Sequence, residues 1–148
     1  MTLFNFHEVT ARRRFGSVTG GFTNVVPEVS DFDNLNRASL IANAFQIGDD
    51  WIPISRDELL TDLARLIGYD SAYRTLVIPA ELASHFATNF AGVFLEDARF
   101  YKNFEKEHDA SGRYVRGYST PLTDATFSHG FAGIDSQHLG MIIISDED

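Results

Sequence analysis

The chain contains no cysteine, which removes disulfide frameworks, thiolate metal sites and cysteine nucleophiles while leaving the compartment open. It lacks a run of about 18 apolar residues, and it lacks a basic start leading into an apolar stretch and a small-residue cleavage site. Neither a membrane-spanning helix nor a secretory leader is therefore expected, and the reading is a cytoplasmic protein. Methionine is scarce, with 2 residues against 13 phenylalanines, so the interior should rest on rigid rings rather than adaptable thioethers.

Positive charge is also in short supply. The 12 Lys and Arg face 21 Asp and Glu, for a formal charge of -9 and a pI near 4.9. Such a balance repels a phosphate backbone, so direct nucleic-acid binding is disfavoured. Most of the surplus falls in the second half, where residues 75–148 carry 5 basic and 11 acidic side chains.

What remains is the composition of a folded domain. Hydrophobic residues make up 44% of the 148 and aromatics 13%, enough for one real core at this length. No internal repeat or linker divides the sequence, so residues 1–148 read as a single compact α+β domain with a short acidic C-terminal tail.

Local patterns suggest the elements. The opening "TLFNFHEVTARRRFGSVTGGFTNVVPEV" is rich in Phe, Val and Thr and punctuated by Gly16, Gly20 and Gly21, which suits short strands. Between Asp33 and Phe45 helix and strand compete, and the expectation is a helix ending near Ala44 followed by a hairpin. Leu35, Ala38, Ile41, Ala42 and Phe45 keep helical spacing behind an Asp33 cap, and "AFQIGDDWIPI" reads as a hairpin turning at Gly48 to Asp50. In "SRDELLTDLARLIG", Ser55 and Glu58 form a capping box, Leu59, Leu60, Leu63, Leu66 and Ile67 form a stripe, and Gly68 is the stop.

"YRTLVIP" then reads as a buried strand, and Pro79 opens a helix facing inward through Leu82, Phe86 and Phe90. Past Gly92 the helical spacing continues through Phe94, Ala98, Tyr101, Phe104 or Glu105, and His108. "RYVRGYST", "TFSHGFAGI" and "HLGMIIIS" read as strands. The expected architecture is a mostly antiparallel sheet with about three to four helices packed on one face.

No motif with assembled chemistry appears. The triple arginine Arg12 to Arg14 lacks the Gly-Lys-Ser or Gly-Lys-Thr ending of a phosphate loop, and on a strand its members would point to opposite faces. Pairing with the protein's own carboxylates, or blunting a sheet edge, suits it better. Glu81 with His85, and Glu105 with His108, share helical faces, but a di-iron site needs a second Glu-x-x-His and further carboxylates. No metal site and no cofactor is expected.

Asp124, His129, Asp135 and His138, near Ser119, Ser128 and Ser136, supply the residue types of a small hydrolase or metal-dependent enzyme without its nucleophile elbow. That is the alternative reading. A third is an assembly subunit using the aromatic surplus as an interface. The leading expectation is a small protein-binding domain, an inhibitor or immunity or anti-defence-type factor. Its carboxylates would occlude a basic surface of a partner protein, nucleic-acid-binding surfaces included. Asp146, Glu147 and Asp148 of the tail, Glu96, Asp97, Glu105 and Glu107, and the lone Trp51 as an aromatic anchor are the residues assigned to that contact.

Overall fold

The computed structural model describes residues 4–13, 16–69, 75–108, 111 and 114–146. Its first element corrects the expectation of strands only. Helix α1 spans Phe6–Arg13, started by Asn5, whose Oδ1 accepts the Glu8 N–H at 3.0 Å. Val9 and Arg13, four residues apart, are its buried positions. A short polar cap before an i,i+4 stripe suffices to wind this stretch despite its phenylalanines and threonines. Strand β1, Ser17–Asn24, follows.

Helix α2, Asp31–Ile41, settles the ambiguous segment as helix. Its cap is Ser30 rather than Asp33: the Asp33 N–H donates to Ser30 Oγ at 3.1 Å. It stops three residues before Ala44, with Asn43 at φ 57 in the left-handed region that asparagine tolerates. No hairpin follows. Strand β2, Ile52–Ile54, pairs instead with a strand far along the chain.

Helix α3, Arg56–Gly68, matches its sequence signature, with Ser55 Oγ accepting the Glu58 N–H at 3.1 Å. Leu59, Leu63 and Ile67 are fully buried. The strand expected at "YRTLVIP" lies partly outside the described residues, and the part seen makes a single bridge, Tyr69 to Leu76. Helix α4, Ala80–Ala91, begins after Pro79 and buries Phe86 and Phe90.

Beyond Gly92 the helical spacing misleads. Residues expected to continue as helix form strands β3, Arg99–Lys102, and β4, Phe104–His108. Cross-strand partners decide the matter, because β3 is hydrogen-bonded between β2 and a strand over Phe127–Ile134, and a ladder on both edges outweighs weak local periodicity. Strands β5, Tyr114–Ser119, β6, Phe127–Ile134, and β7, His138–Asp146, agree with the sequence reading.

The five-stranded sheet has order β1-β7-β6-β3-β2 and every pairing is antiparallel, while β4 and β5 form a separate two-stranded ribbon. The β6–β7 hairpin is central and covered on both faces. Phe131, Ile142 and Ile144 point toward α1, α3 and α4 in one core cluster; Ala132, Ile134, Met141 and Ile143 point toward α2, Trp51 and Leu122 in a second. Three helices thus share one face, as an α+β layering predicts, and α2 takes the other.

One opposed pair on the central hairpin has to be glycine. At Gly133 a Cβ would meet Phe94 Cζ at 2.7 Å, and at its partner Gly140 it would meet Phe22 Cδ1 at 2.5 Å. The missing side chains make the recess that seats these two rings, whose centroids are 6.1 Å apart.

Candidate protein-binding surface

The residues assigned to a contact from sequence do not form one patch. Asp146 is 1% exposed. Arg13 grips it with two parallel bonds, Nη1 to Oδ1 at 2.9 Å and Nη2 to Oδ2 at 3.1 Å. The same guanidinium donates from Nε to the Ile67 carbonyl and from Nη2 to the Tyr69 carbonyl. The first acid of the tail is therefore an internal anchor, removed from any exterior contact, and the arginine run supplies its partner. Glu147 and Asp148 lie outside the described residues.

Trp51 is also withdrawn from the surface, being 2% exposed in the cluster with Ile47 and Leu122. Its Nε1 has no hydrogen-bond partner among the described residues. Glu96 and Asp97 are exposed, next to β3 at the turn end of the β6–β7 hairpin, since Arg99 pairs with Ile134. Asp146 pairs with Phe127 at the other end, eight residues along β7 from His138, a separation of roughly 26 Å. Glu105 is exposed on β4; Glu107 belongs to the same strand, with its side chain outside the described part.

The groups of the alternative enzyme reading are dispersed as well. His129 stacks edge-on against Phe104 at 4.8 Å, and Asp124 is exposed in the loop 120–126. His138 does meet Asp135, with Nδ1 3.1 Å from Oδ2. That carboxylate is occupied as the hub of the hairpin turn. Its Oδ1 accepts the N–H groups of Gln137, at 2.7 Å, and of His138, and its Oδ2 accepts the Leu95 N–H at 2.7 Å. Burial pushes the Asp135 carboxyl up, but the N–H donors of Leu95, Gln137 and His138, with the His138 ring, outweigh it and hold it below the usual carboxylate range.

Glu81 and His85 are both exposed on α4. Glu105 and His108 sit on a strand, so the helical spacing that made them a candidate pair does not exist. Among the described residues no group of three or more His, Cys, Asp or Glu is placed to hold a metal ion. No helix there is long and apolar enough to cross a membrane.

Among the described residues several cations are engaged by the protein's own groups. Arg99 clamps Asp31 at the start of α2, Nε to Oδ2 at 2.6 Å and Nη2 to Oδ1 at 2.9 Å, while the Tyr101 hydroxyl donates to Asp31 Oδ2 at 2.8 Å. The Arg99 bond is the main cause holding the Asp31 carboxyl low, and burial followed by the Asp31 bond pushes the Tyr101 hydroxyl up to about 12. Lys102 Nζ lies 2.6 Å from Glu58 and 3.1 Å from Asp62, 4.9 Å above the Phe104 ring. Arg56 donates to the Ala91 and Leu95 carbonyls, and Arg37 to the Asn24 carbonyl.

The exposed acids are left in a different condition. Asp33, Asp49, Asp50, Asp57 and Asp124 are exposed, and among the described residues none forms an ion pair. Three of them gather on two neighbouring loops. Asp49 and Asp50 lie in the turn 45–50, and Asp124 lies in the loop 120–126. The Phe45 N–H donates to the Leu122 carbonyl at 2.7 Å, and Thr120 Oγ1 donates to Asp50 Oδ2 at 3.4 Å.

Exposed apolar side chains adjoin these loops. Leu40, Ile41 and Phe45, at the C-terminal end of α2, are 60%, 52% and 48% exposed. Sequence reasoning missed this surface because it assigned Ile41 and Phe45 to the core stripe. The stripe that is buried runs through Asn34, Leu35, Ala38 and Ser39, leaving Leu40 nearly opposite it.

The architecture and the surface together define an antiparallel α+β protein with a mixed apolar and acidic face. Compared with protein-family models, curated proteins and solved structures, the chain matches none.

Proposed function

We propose that this protein acts by binding another protein through its negatively charged exterior, as an inhibitor or an immunity or anti-defence-type factor. It occludes a basic surface of that partner, one suited to nucleic acid, and it works in the cytoplasm. The observation that supports this reading is the asymmetry of charge. Among the described residues Arg13, Arg99 and Lys102 are paired with the protein's own carboxylates, and Arg37 and Arg56 with its own carbonyls. Exposed Asp33, Asp49, Asp50, Asp57 and Asp124 go unpaired among the described residues. A net charge of -9 therefore reaches the solvent as negative potential, which speeds encounter with a basic surface and disfavours acidic ones.

The test is capture on the immobilised full chain from host or target-cell lysate at low and at high salt. Basic proteins retained at low salt and released at high salt are the expected result. Retention of no protein in a salt-sensitive way would overturn the reading.

A further inference from the structure

We infer that the C-terminal end of α2, together with the turn 45–50 and the loop 120–126, is the face on which a basic, apolar-bearing segment of the partner protein docks. This face rests on the protein-binding reading above and specifies where it operates. Leu40, Ile41 and Phe45 present three large exposed apolar side chains within six residues. Hot spots of this kind need an apolar centre that a partner can desolvate, with a polar rim around it.

Hydrogen bonds show that the rim adjoins the centre. Asn36 and Leu40 lie one turn apart on the same stripe of α2. Asn36 Oδ1 accepts the Gly48 N–H at 3.1 Å, which holds the turn bearing Asp49 and Asp50 against α2 one helical turn from Leu40. The Phe45 bond to Leu122 brings up the loop bearing Asp124. Arg37, one helical turn from Leu40 and Ile41, donates to the Asn24 carbonyl, and residues 38–55 and 117–128 contain no Lys or Arg, so the carboxylates of the turn and the loop are answered by no cation from their own segments. A partner segment with apolar side chains set between lysines or arginines complements both features. A second copy of this chain would bring the same acids against themselves.

The sheet edges direct the partner to this face. On β1 the Thr10 hydroxyl both accepts the Val18 N–H, at 2.9 Å, and donates to the Val18 carbonyl, at 3.0 Å. Just past β1, Asn34 takes the Val26 N–H and carbonyl in the same manner. On the other edge β2 has three residues, and its Pro53 offers no N–H. Strand addition to the five-stranded sheet is hindered at these positions, which favours docking through side chains.

The probe is a labelled synthetic amphipathic helix of about 18 residues with leucines on one face and lysines on the other. Its binding to the full chain is followed by fluorescence anisotropy across a salt series. Replacing Leu40→Ser, Ile41→Ser and Phe45→Ser together should weaken binding by about tenfold or more. Replacing Asp49→Asn, Asp50→Asn and Asp124→Asn should weaken it and flatten its salt dependence. Glu8→Gln, Glu28→Gln and Glu81→Gln, which remove the same charge from other exposed positions, should leave affinity within about twofold. Folding of each variant is checked through Trp51 fluorescence.

Equal losses in the two charge-neutral variants, or full affinity in the serine variant, would overturn the assignment. So would a dimer seen by sedimentation that the serine variant dissolves, since the occupant would then be a second copy. A serine variant that still captures the salt-sensitive lysate proteins of the parent would overturn this face and leave the protein-binding reading intact. Failure of the parent to capture any would remove the reading itself.

Discussion

Arg13 and Asp146 join the first helix to the last strand through a bidentate ion pair, 2.9 and 3.1 Å, sealed from solvent at both ends. They stand 133 residues apart in sequence. Because Arg13 also donates to the Ile67 and Tyr69 carbonyls, one guanidinium holds α1, the end of α3 and the end of β7. Gly16 makes room for it: at φ 59, a Cβ there would meet Asp146 Oδ1 at 2.3 Å and the Ser145 carbonyl oxygen at 2.1 Å.

Breaking this pair from one side leaves a buried charge without its counterpart. Arg13→Met or Asp146→Asn should each cost about 3–5 kcal/mol, and the double variant less than the sum, since removing both charges relieves the penalty. Urea denaturation followed by Trp51 fluorescence measures this. Single variants as stable as the parent would show that the pair is not an anchor.

Asp135 should make the β6–β7 turn sensitive to acid. Its folded pKa lies below the ordinary 3.8, so its contribution is present above that value and is lost as pH falls through the lower, folded one. Asp135→Asn should flatten the acid limb of the stability curve. Asp135→Ala, which strands the N–H groups of Leu95, Gln137 and His138, should cost about 1–3 kcal/mol at neutral pH. Denaturation across a pH series distinguishes the two variants.

Tyr101 should titrate apart from the other tyrosines. Burial, and then its bond to Asp31, raise its pKa from 10.0 to about 12. The stabilisation linked to the raised value is complete below pH 10.0 and fades as pH climbs through about 12. Ultraviolet absorbance titration should resolve one late phenol, and Asp31→Asn should move it toward the ordinary value. A single tyrosine transition, unaffected by Asp31→Asn, would contradict the geometry at the start of α2.

The glycine pair should resist even one added methyl. Gly133→Ala and Gly140→Ala force apart the ring atoms of Phe94 and Phe22 that approach within 2.7 and 2.5 Å. A cost of about 1–3 kcal/mol is expected from overpacking. Phe94→Leu in the Gly133→Ala background should recover part of it. The readout is the thermal midpoint of each variant.

Elements whose reasons lie within one turn were legible without tertiary structure. In α3 the Ser55 cap, the Glu58 beside it and the leucine stripe are neighbours in sequence, and the helix forms where they stand. The strands of the β6–β7 hairpin were likewise visible, because both faces are buried and Gly130 to Ile134 and Leu139 to Ile144 hold only apolar residues and glycine. Helix α1 was missed because its signals, Asn5 ahead of Glu8 and Val9 ahead of Arg13, are only two pairs among strand-forming residues.

The proposed binding surface was legible only as a sum. Net charge indicated a negative exterior, but which carboxylates remain exterior depends on where the scarce cations are spent. Asp146 looked free as part of an acidic tail and is buried because Arg13 arrives from the opposite end of the chain. Ile41 and Phe45 fit a helical pattern from residue 35 onward; contact with the sheet selects the neighbouring stripe and leaves both outside, together with Leu40.

By itself the sequence determined the α+β class, the charge of the exterior, the capped helix α3 and the apolar hairpin strands, since each follows from composition or from neighbours a few residues apart. Only the tertiary structure decided that Arg99–Lys102 is strand, that Arg13 and Asp146 meet, and that the far end of α2 stays open. Those outcomes depend on partners distant along the chain, whose hydrogen bonds and ion pairs outweigh the modest preferences of local spacing.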